Sequence, residues 1–325
     1  MSPTMPNPME VPSIALIGEC MIELREMPDG FFTRSYGGDV LNTAVYLSRL
    51  VKERAKVRFS TILGDDPFST EMIANWAEEG LICDTIGRKR ASNISFYLIQ
   101  TDDEGERSFY YWRNHAPARE LMDAQWAPTL VNAFNSSWIY VSGITLAILG
   151  DNGRERLVAH LRNARDQGAA IDFDGNFRHQ LWPNKRKARS WYSRLWRLCT
   201  LALASAEDEA SLYDDQSPTM TLERLSTYGI PEIVVKCGTN PLLLVDCKKT
   251  RSIAVEPANN VVDTTAAGDS FNAGYIAARI SGLKPIKAAH LGSRLAAHVV
   301  QHSGAIIPLS AMPNIPLQNE HLHPS

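Results

Sequence analysis

The chain reads as an α/β protein, with a mostly parallel central sheet covered by helices on both faces and a small β-sheet lid. Three observations lead there. Short apolar runs alternate with stretches of helical periodicity along most of the 325 residues. Strands that are apolar on both faces belong to parallel sheets buried between helices. One segment, 94–112, breaks the rhythm with two alternating runs around Asp102-Asp103-Glu104-Gly105, the pattern of a β-hairpin. The composition, 44% hydrophobic and 21% charged, is ordinary for a globular chain, and the length suits one large α/β domain with an insertion.

Residues 1–12 and 313–325 read as loose tails around a domain over 13–312. The runs Ser13–Gly18, Val57–Leu63, Trp138–Ser142, Ala169–Asp174, Leu198–Ala204 and Glu232–Cys237 are the expected buried strands. Helical spacing of apolar residues covers Leu41–Val51, Phe68–Glu79, Arg154–Gln167, Asp208–Tyr213 and Pro285–Val300. The basic run Lys185-Arg186-Lys187-Ala188-Arg189 precedes Trp191, Leu195 and Trp196 at helical spacing, so it is read as a solvated helix face. Cys20–Glu26 and Phe32–Tyr36 read as short strands. With the hairpin they make a discontinuous lid from about 19–36 and 92–114. Unpaired lid edges favour pairing with a second copy, so a homo-oligomer joined through the lid is expected.

Several function classes drop out. Net charge is −3, which leaves no nucleic-acid footprint. The longest apolar stretch, around Leu198 to Ala204, is too short to span a bilayer. Five cysteines, an odd number at wide spacings with no C-x-x-C, point to reduced thiols rather than a disulfide frame or a zinc site. The Pro-rich start carries no signal pattern, so a soluble cytoplasmic protein is expected. His298 and His302 lie one helical turn apart without a third ligand and read as a helix-surface pair. The P-loop, the G-x-G-x-x-G fingerprint, G-x-S-x-G and H-E-x-x-H are all missing.

Four strings carry the chemistry. In DTTAAGDSFNAGY (263–275), Ala266-Ala267-Gly268 precedes Asp269 and an amphipathic segment. Small residues permit a sharp turn and close approach, and the free N–H groups of a helix start favour an anion. In YGGDVLNTA (36–44), Gly37 and Gly38 let a polyol approach the backbone, while Asp39 and Asn42 offer hydrogen bonds. In FYYWRN (109–114), Tyr111 and Arg113 share one face of a hairpin strand. In FDGNFR (173–178), Asp174, Asn176 and Arg178 crowd the end of a buried strand, where ligands of such sheets bind.

DTTAAGDSFNAGY resembles the second signature of the ribokinase-like (PfkB) carbohydrate kinases, and GGDVLNTA resembles the first. IGECMIEL, GERSFYYWRN, SGITLAIL and GAIIP are similar to the acid-sugar branch of that family, whose members phosphorylate 2-keto-3-deoxygluconate. The resemblance implies a ribokinase-like fold and transfer of the ATP γ-phosphoryl to the substrate's terminal hydroxyl, with ATP and Mg2+ as cofactors. It implies Asp269 as the general base, a role that a helix N-terminus suits. Backbone N–H groups of Ala266, Ala267 and Gly268 would form the anion hole. Gly37, Gly38, Asn42, Tyr97 and Tyr111 would contact the sugar. Arg113 and Arg178 would hold its carboxylate, because a guanidinium pairs with carboxylates bidentately. Lys236, Gly238, Gly268, Ser303 and Gly304 would line the nucleotide. Glu209 and Asp263 would serve the metal, directly or through water. Two departures stand out: Ala206 replaces the Asn of an N-x-x-E motif, and Pro241 stands where relatives often have a second Gly. A neutral-sugar kinase of fructokinase or ribokinase type, and a non-catalytic sugar-acid sensor, compete on the same scaffold.

Overall fold

The computed structural model describes residues 11–27, 29–101 and 107–318. The expected turn at Asp102–Gly105 and most of both tails lie outside the described residues.

The chain enters through β1 (Ser13–Ile17), leaves for β2 (Met21–Glu26) and β3 (Phe32–Gly37), and returns along α1 (Asp39–Val51) to β4 (Lys56–Gly64). After α2 (Pro67–Glu78) and β5 (Ile86–Lys89) it forms the hairpin strands β6 (Phe96–Thr101) and β7 (Arg107–Trp112). Then follow α3 (Ala127–Phe134), β8 (Trp138–Ser142), α4 (Gly143–Ile148), α5 (Asp151–Asp166) and β9 (Ala170–Asp174). Next come α6 (Lys185–Trp196), β10 (Leu201–Ser205), α7 (Ala206–Tyr213) and α8 (Pro218–Ser226). The chain closes with β11 (Glu232–Cys237), β12 (Asn240–Asp246), β13 (Lys249–Ile253), α9 (Ala267–Ile280) and α10 (Pro285–Val299).

Nine strands form one sheet in the order β13-β12-β11-β10-β9-β8-β1-β4-β5, parallel from β11 through β5. Alternation along the strands splits the core in two. Ile14 and Leu16 of β1 face a cluster with α1, α2, α9 and α10, whereas Ala15 and Ile17 face one with α3 to α8. The second sheet has the order β3-β2-β6-β7, so the segments expected to form the lid do share one sheet. No helix among the described residues is long and apolar enough to cross a membrane.

The six expected strands are all present, one of them shortened. In Leu198–Ala204 the strand starts at Leu201, because the amides of Leu198 and Cys199 fold back on the Leu195 carbonyl to close α6. α4 has six residues, too few for periodicity to register; Ser142 caps it by accepting from the Thr145 N–H. β13 lies at the sheet edge with four exposed residues, so its polar sequence hides it as a strand. α8 carried readable signals, an N-cap Ser217 followed by Pro218.

Candidate active site

The site lies beyond the carboxyl ends of the parallel strands, where Asp174 ends β9 and Lys236 nears the end of β11. α9 starts with a sharp turn. Ala266 is its N-cap in the left-handed region, φ 61°, a conformation that non-glycine residues adopt only where the surroundings impose it. The first N–H groups of a helix have no intrahelical acceptor. Of these, the Ala267 N–H turns back to the Thr264 carbonyl at 3.2 Å. Lys236 Nζ lies 3.6 Å from where a Cβ on Gly268 would stand, so a positive side chain adjoins the helix start. Partial positive charge and a lysine together suit an anion.

Asp269 sits in the first turn of α9. Asn42, on α1, donates to Asp269 Oδ2 at 2.8 Å. Close packing of protein around the Asp269 carboxyl raises its pKa well above the usual range, and the negative charge of Asp39 adds to this; Asn42 and Lys236 oppose it. Its surface is nonetheless only half-buried, leaving an opening toward solvent. Asp39 in turn accepts from Asn176 Nδ2 at 2.6 Å. Behind them, Asn272 Nδ2 donates to Asp174 Oδ2 at 2.9 Å, and Lys236 Nζ donates to Asn272 Oδ1 at 3.0 Å. The structure thus gathers three carboxylates, Asp39, Asp174 and Asp269, around one lysine.

The lid supplies the opposite wall. Gly37 and Gly38 leave room, but protein fills it: a Cβ on Gly37 would meet the Tyr97 hydroxyl at 2.3 Å, and one on Gly38 the Glu19 carbonyl at 2.6 Å. The glycines therefore serve close packing between lid and helix as much as access for a polyol. Tyr97 donates its hydroxyl proton to Glu23 Oε2. Arg113 is buried and ion-paired with Glu19, and its guanidinium lies 5.4 Å from the Tyr111 ring centroid. Arg178 is exposed and donates to Asp208 at 3.1 Å. Burial works against the Arg178 charge, but Asp208, Asp39, Asp174 and Asp269 outweigh it. Burial pushes the Tyr111 phenol up, while the positive charges of Arg113 and Arg178 act the other way.

A model of the pfkB family of carbohydrate kinases matches residues 11–312. The chain belongs to this family. It is 42% identical over 311 residues to a 2-dehydro-3-deoxygluconokinase of Dickeya dadantii, covering 94% of this chain and 100% of that protein. A protein of the same description from Haemophilus influenzae is 39% identical over 306 residues, 93% of this chain and 98% of that one. A fructokinase of Vibrio alginolyticus is more distant, 25% identical over 260 residues, 80% of this chain and 81% of that one. Among solved structures, a fructokinase with bound ATP from Xylella fastidiosa superposes with a TM-score of 0.78 at 22% identity, covering 93% and 95% of the two chains. A 2-dehydro-3-deoxygluconokinase from Thermotoga maritima gives 0.75 at 20% identity, with 92% and 95% covered. The large sheet with a small second sheet is thus the ribokinase-like fold of the pfkB kinases.

Within this pfkB kinase the residues expected to serve a metal are occupied otherwise. Glu209 is wholly buried, with Oε2 accepting from Arg224 at 2.7 Å. Burial pushes its carboxyl up to about 7, against the pull of Arg224. Its other oxygen lies behind Gly175, where a Cβ would meet it at 2.6 Å. Asp263 accepts from the Thr265 and Gly304 N–H groups at 2.9 Å and pairs with Arg25 of the lid. Arg25 also donates to Ser303 at 3.1 Å, so the Ser303-Gly304 turn is tied to the lid. No group of three or more acidic, His or Cys residues among those described is arranged to hold a metal. His298 Nε2–H donates to the Ala311 carbonyl at 2.7 Å, which anchors the C-terminal segment. Gly238 sits at the β11–β12 turn with φ 62°, a position that favours glycine. The sequence reading missed Glu19, Tyr140 and Asn272. Glu19 directly follows Gly18 beyond the carboxyl end of β1, and that location was the available signal.

Proposed function

We propose that this chain is an ATP-dependent kinase that phosphorylates the terminal hydroxyl of 2-keto-3-deoxy-D-gluconate, giving the 6-phosphate. The observation that carries the reading is the placement of Asp269 at the start of α9, held by Asn42, together with Arg113 over the Tyr111 ring at 5.4 Å. Identity near 40% to proteins described as 2-dehydro-3-deoxygluconokinases supports the same substrate.

Arg113 and Arg178 hold the substrate carboxylate, with Tyr97, Tyr111, Gly37, Gly38 and Asn42 around the sugar. This directs the far hydroxyl toward Asp269, which takes its proton as the oxygen attacks. Charge developing on the phosphoryl group is met by the N–H groups of Ala266, Ala267 and Gly268, with the Ala267 amide exchanging its contact to Thr264 for the anion. Lys236 adds positive charge beside them. Lys236, Gly238, Ser303 and Gly304 line the nucleotide. A protein cage for Mg2+ does not fit the residues present: Glu209 is closed behind Gly175, and Asp263 is committed to donors. Mg2+ would enter on the ATP phosphates, keeping most of its waters, and no step here is routed through it. The small sheet closes as a lid and excludes water, which limits ATP hydrolysis. Exposed aromatics on that sheet, Phe32, Tyr110 and Trp112 among them, support assembly of two copies through their lids. Free thiols at all five cysteines support a cytoplasmic setting.

The test is ADP release with Mg·ATP against 2-keto-3-deoxygluconate, 2-keto-gluconate, fructose and ribose. Turnover on the keto-deoxy acid with little on the neutral sugars is expected. Comparable or better turnover on fructose or ribose would overturn the arginine assignment while leaving Asp269 as the base.

A further inference from the structure

Arg113 reaches the site already partnered. Its guanidinium donates to Glu19 Oε1 in an ion pair with side-chain exposures of only 9% and 2%. The pairing is one-point: Arg113 Nε and Glu19 Oε2 are both buried, and neither has a hydrogen-bond partner. A guanidinium can bind a carboxylate through two parallel N–H groups, and a buried donor without an acceptor is costly. The pair therefore leaves Arg113 with its Nε–H unspent, beside a Glu19 carboxylate with one oxygen unspent.

We propose that Glu19 is a stand-in counter-ion for Arg113, holding the guanidinium in place until a substrate carboxylate takes over and then becoming neutral by accepting a proton from water. The proposal rests on the sugar-acid reading above. Its logic is electrostatic. Arg178 already faces Asp208, so the arriving carboxylate meets the Glu19 charge at the buried Arg113, and like charges at this range raise the pKa of one of them. Glu19 is the group already poised to protonate. Burial raises its carboxyl to about 7 against the pull of Arg113, Asp39 raises it further, and Arg119 opposes. Tyr111 and Cys20 are the other titratable groups that feel its charge. Asp39 comes from α1, Arg119 from the turn 117–120, and Arg113 from the residue after β7. A second negative charge arriving on Arg113 pushes the Glu19 carboxyl higher still, and the proton comes from solvent. The neutral acid then donates its O–H to an acceptor such as the incoming carboxylate. A neutral sugar brings no charge, leaves the Glu19–Arg113 pair intact and takes up no proton. Glu19 is thus a positioning residue that makes binding of an acid, and only an acid, proton-linked.

The experiment is calorimetric titration of 2-keto-3-deoxygluconate into the full chain without nucleotide, at about pH 8, in two buffers of different protonation enthalpy. Wild type is expected to take up close to one proton, and Kd to weaken about tenfold per pH unit above Glu19's own value. Glu19→Gln keeps an oxygen for Arg113 but cannot titrate; it is expected to bind with that proton missing from the count and with a flatter pH profile. Equal proton counts in wild type and E19Q would overturn the proposal, as would the same uptake on binding fructose. Should E19Q fail to fold, the wild-type profile decides alone: a Kd for the sugar acid independent of pH between about 6 and 9 is the contrary result. If fructose binds and no sugar acid does, the sugar-acid reading falls and the role of Glu19 falls with it.

Discussion

As the proposed general base, Asp269 meets two opposed demands. It must be charged to accept a proton, yet burial and the adjacent Asp39 raise its pKa in the folded chain. By linkage, the folded state then holds a proton that the unfolded chain releases. The stability tied to that proton is fully present below the unfolded carboxylate value and is lost as pH rises through the raised folded value. Asp269→Asn removes this cost and keeps a partner for the Asn42 amide. The variant is expected to lose about 10²–10⁴-fold in kcat and to melt at a higher temperature than wild type above neutral pH. Paired melting curves at acid and alkaline pH check this; a lower melting temperature for the variant throughout would contradict it. Arg178 is the more accessible of the two arginines, since it is half-exposed and its only carboxylate partner is the surface-side Asp208 among the described residues. Charged hydrogen bonds contribute about 1.5–3 kcal/mol each. Arg178→Ala should therefore raise KM for the sugar acid by about 10–100-fold with a smaller change in kcat, and Arg178→Lys should restore only part of the loss. Steady-state kinetics decide it.

At the scale of elements, the position of the base depends on how closely α9 meets α10. A Cβ on Gly274 would lie 2.9 Å from Gly292 Cα, and one on Gly292 would lie 2.7 Å from the Phe271 carbonyl. Backbone stands on both sides, so neither contact can be relieved by turning a side chain. Gly274→Ala is expected to cost about 1–3 kcal/mol through overpacking and to lower kcat by displacing Asp269 without touching substrate. Urea midpoints with kcat test this; wild-type values for both would show that the helices have room to spare. α1 matters in the same way. It carries Asn42 to Asp269 at one end, and Tyr46 accepts from the Ile307 N–H at 3.0 Å while donating to the Ala305 carbonyl at 2.8 Å. One helix thereby ties the base to the turn that follows Ser303-Gly304.

For the whole molecule, the open question raised by the surface is the lid. Phe32, Tyr110 and Trp112 are exposed on the four-stranded sheet, whose edges β3 and β7 have no further strand partner among the described residues. Aromatic surface of this kind, with open edges, is the basis for the proposed association of two copies. Sedimentation velocity at micromolar concentration is expected to give the mass of a dimer, and Phe32→Lys combined with Tyr110→Lys the mass of a monomer. A monomer for the wild-type chain would leave the exposed aromatics to another role. The small sheet is also tied to the proposed nucleotide side, because Arg25 spans from β2 to Asp263 and Ser303.

Much of this was legible in the chain itself. The parallel sheet, the hairpin and the helix start at Asp269 follow from local causes: apolar runs, alternation, and small residues before a carboxylate. These act over a few neighbours, so they are written in consecutive residues. What only the tertiary structure decided is which charges face one another. Glu19 and Arg113 are separated by 94 positions, and Asn42 and Asp269 by 227. Glu209, which the family resemblance assigned to the metal, is closed behind Gly175 and held by Arg224. Gly37 and Gly38 pack closely against Tyr97 and the Glu19 carbonyl, neighbours that are distant or hidden in the sequence. Periodicity reports which face of an element is buried, but the partner of a buried charge is set by packing between elements distant in sequence, and the energy of that pairing depends on a burial that exists only once the sheet has closed.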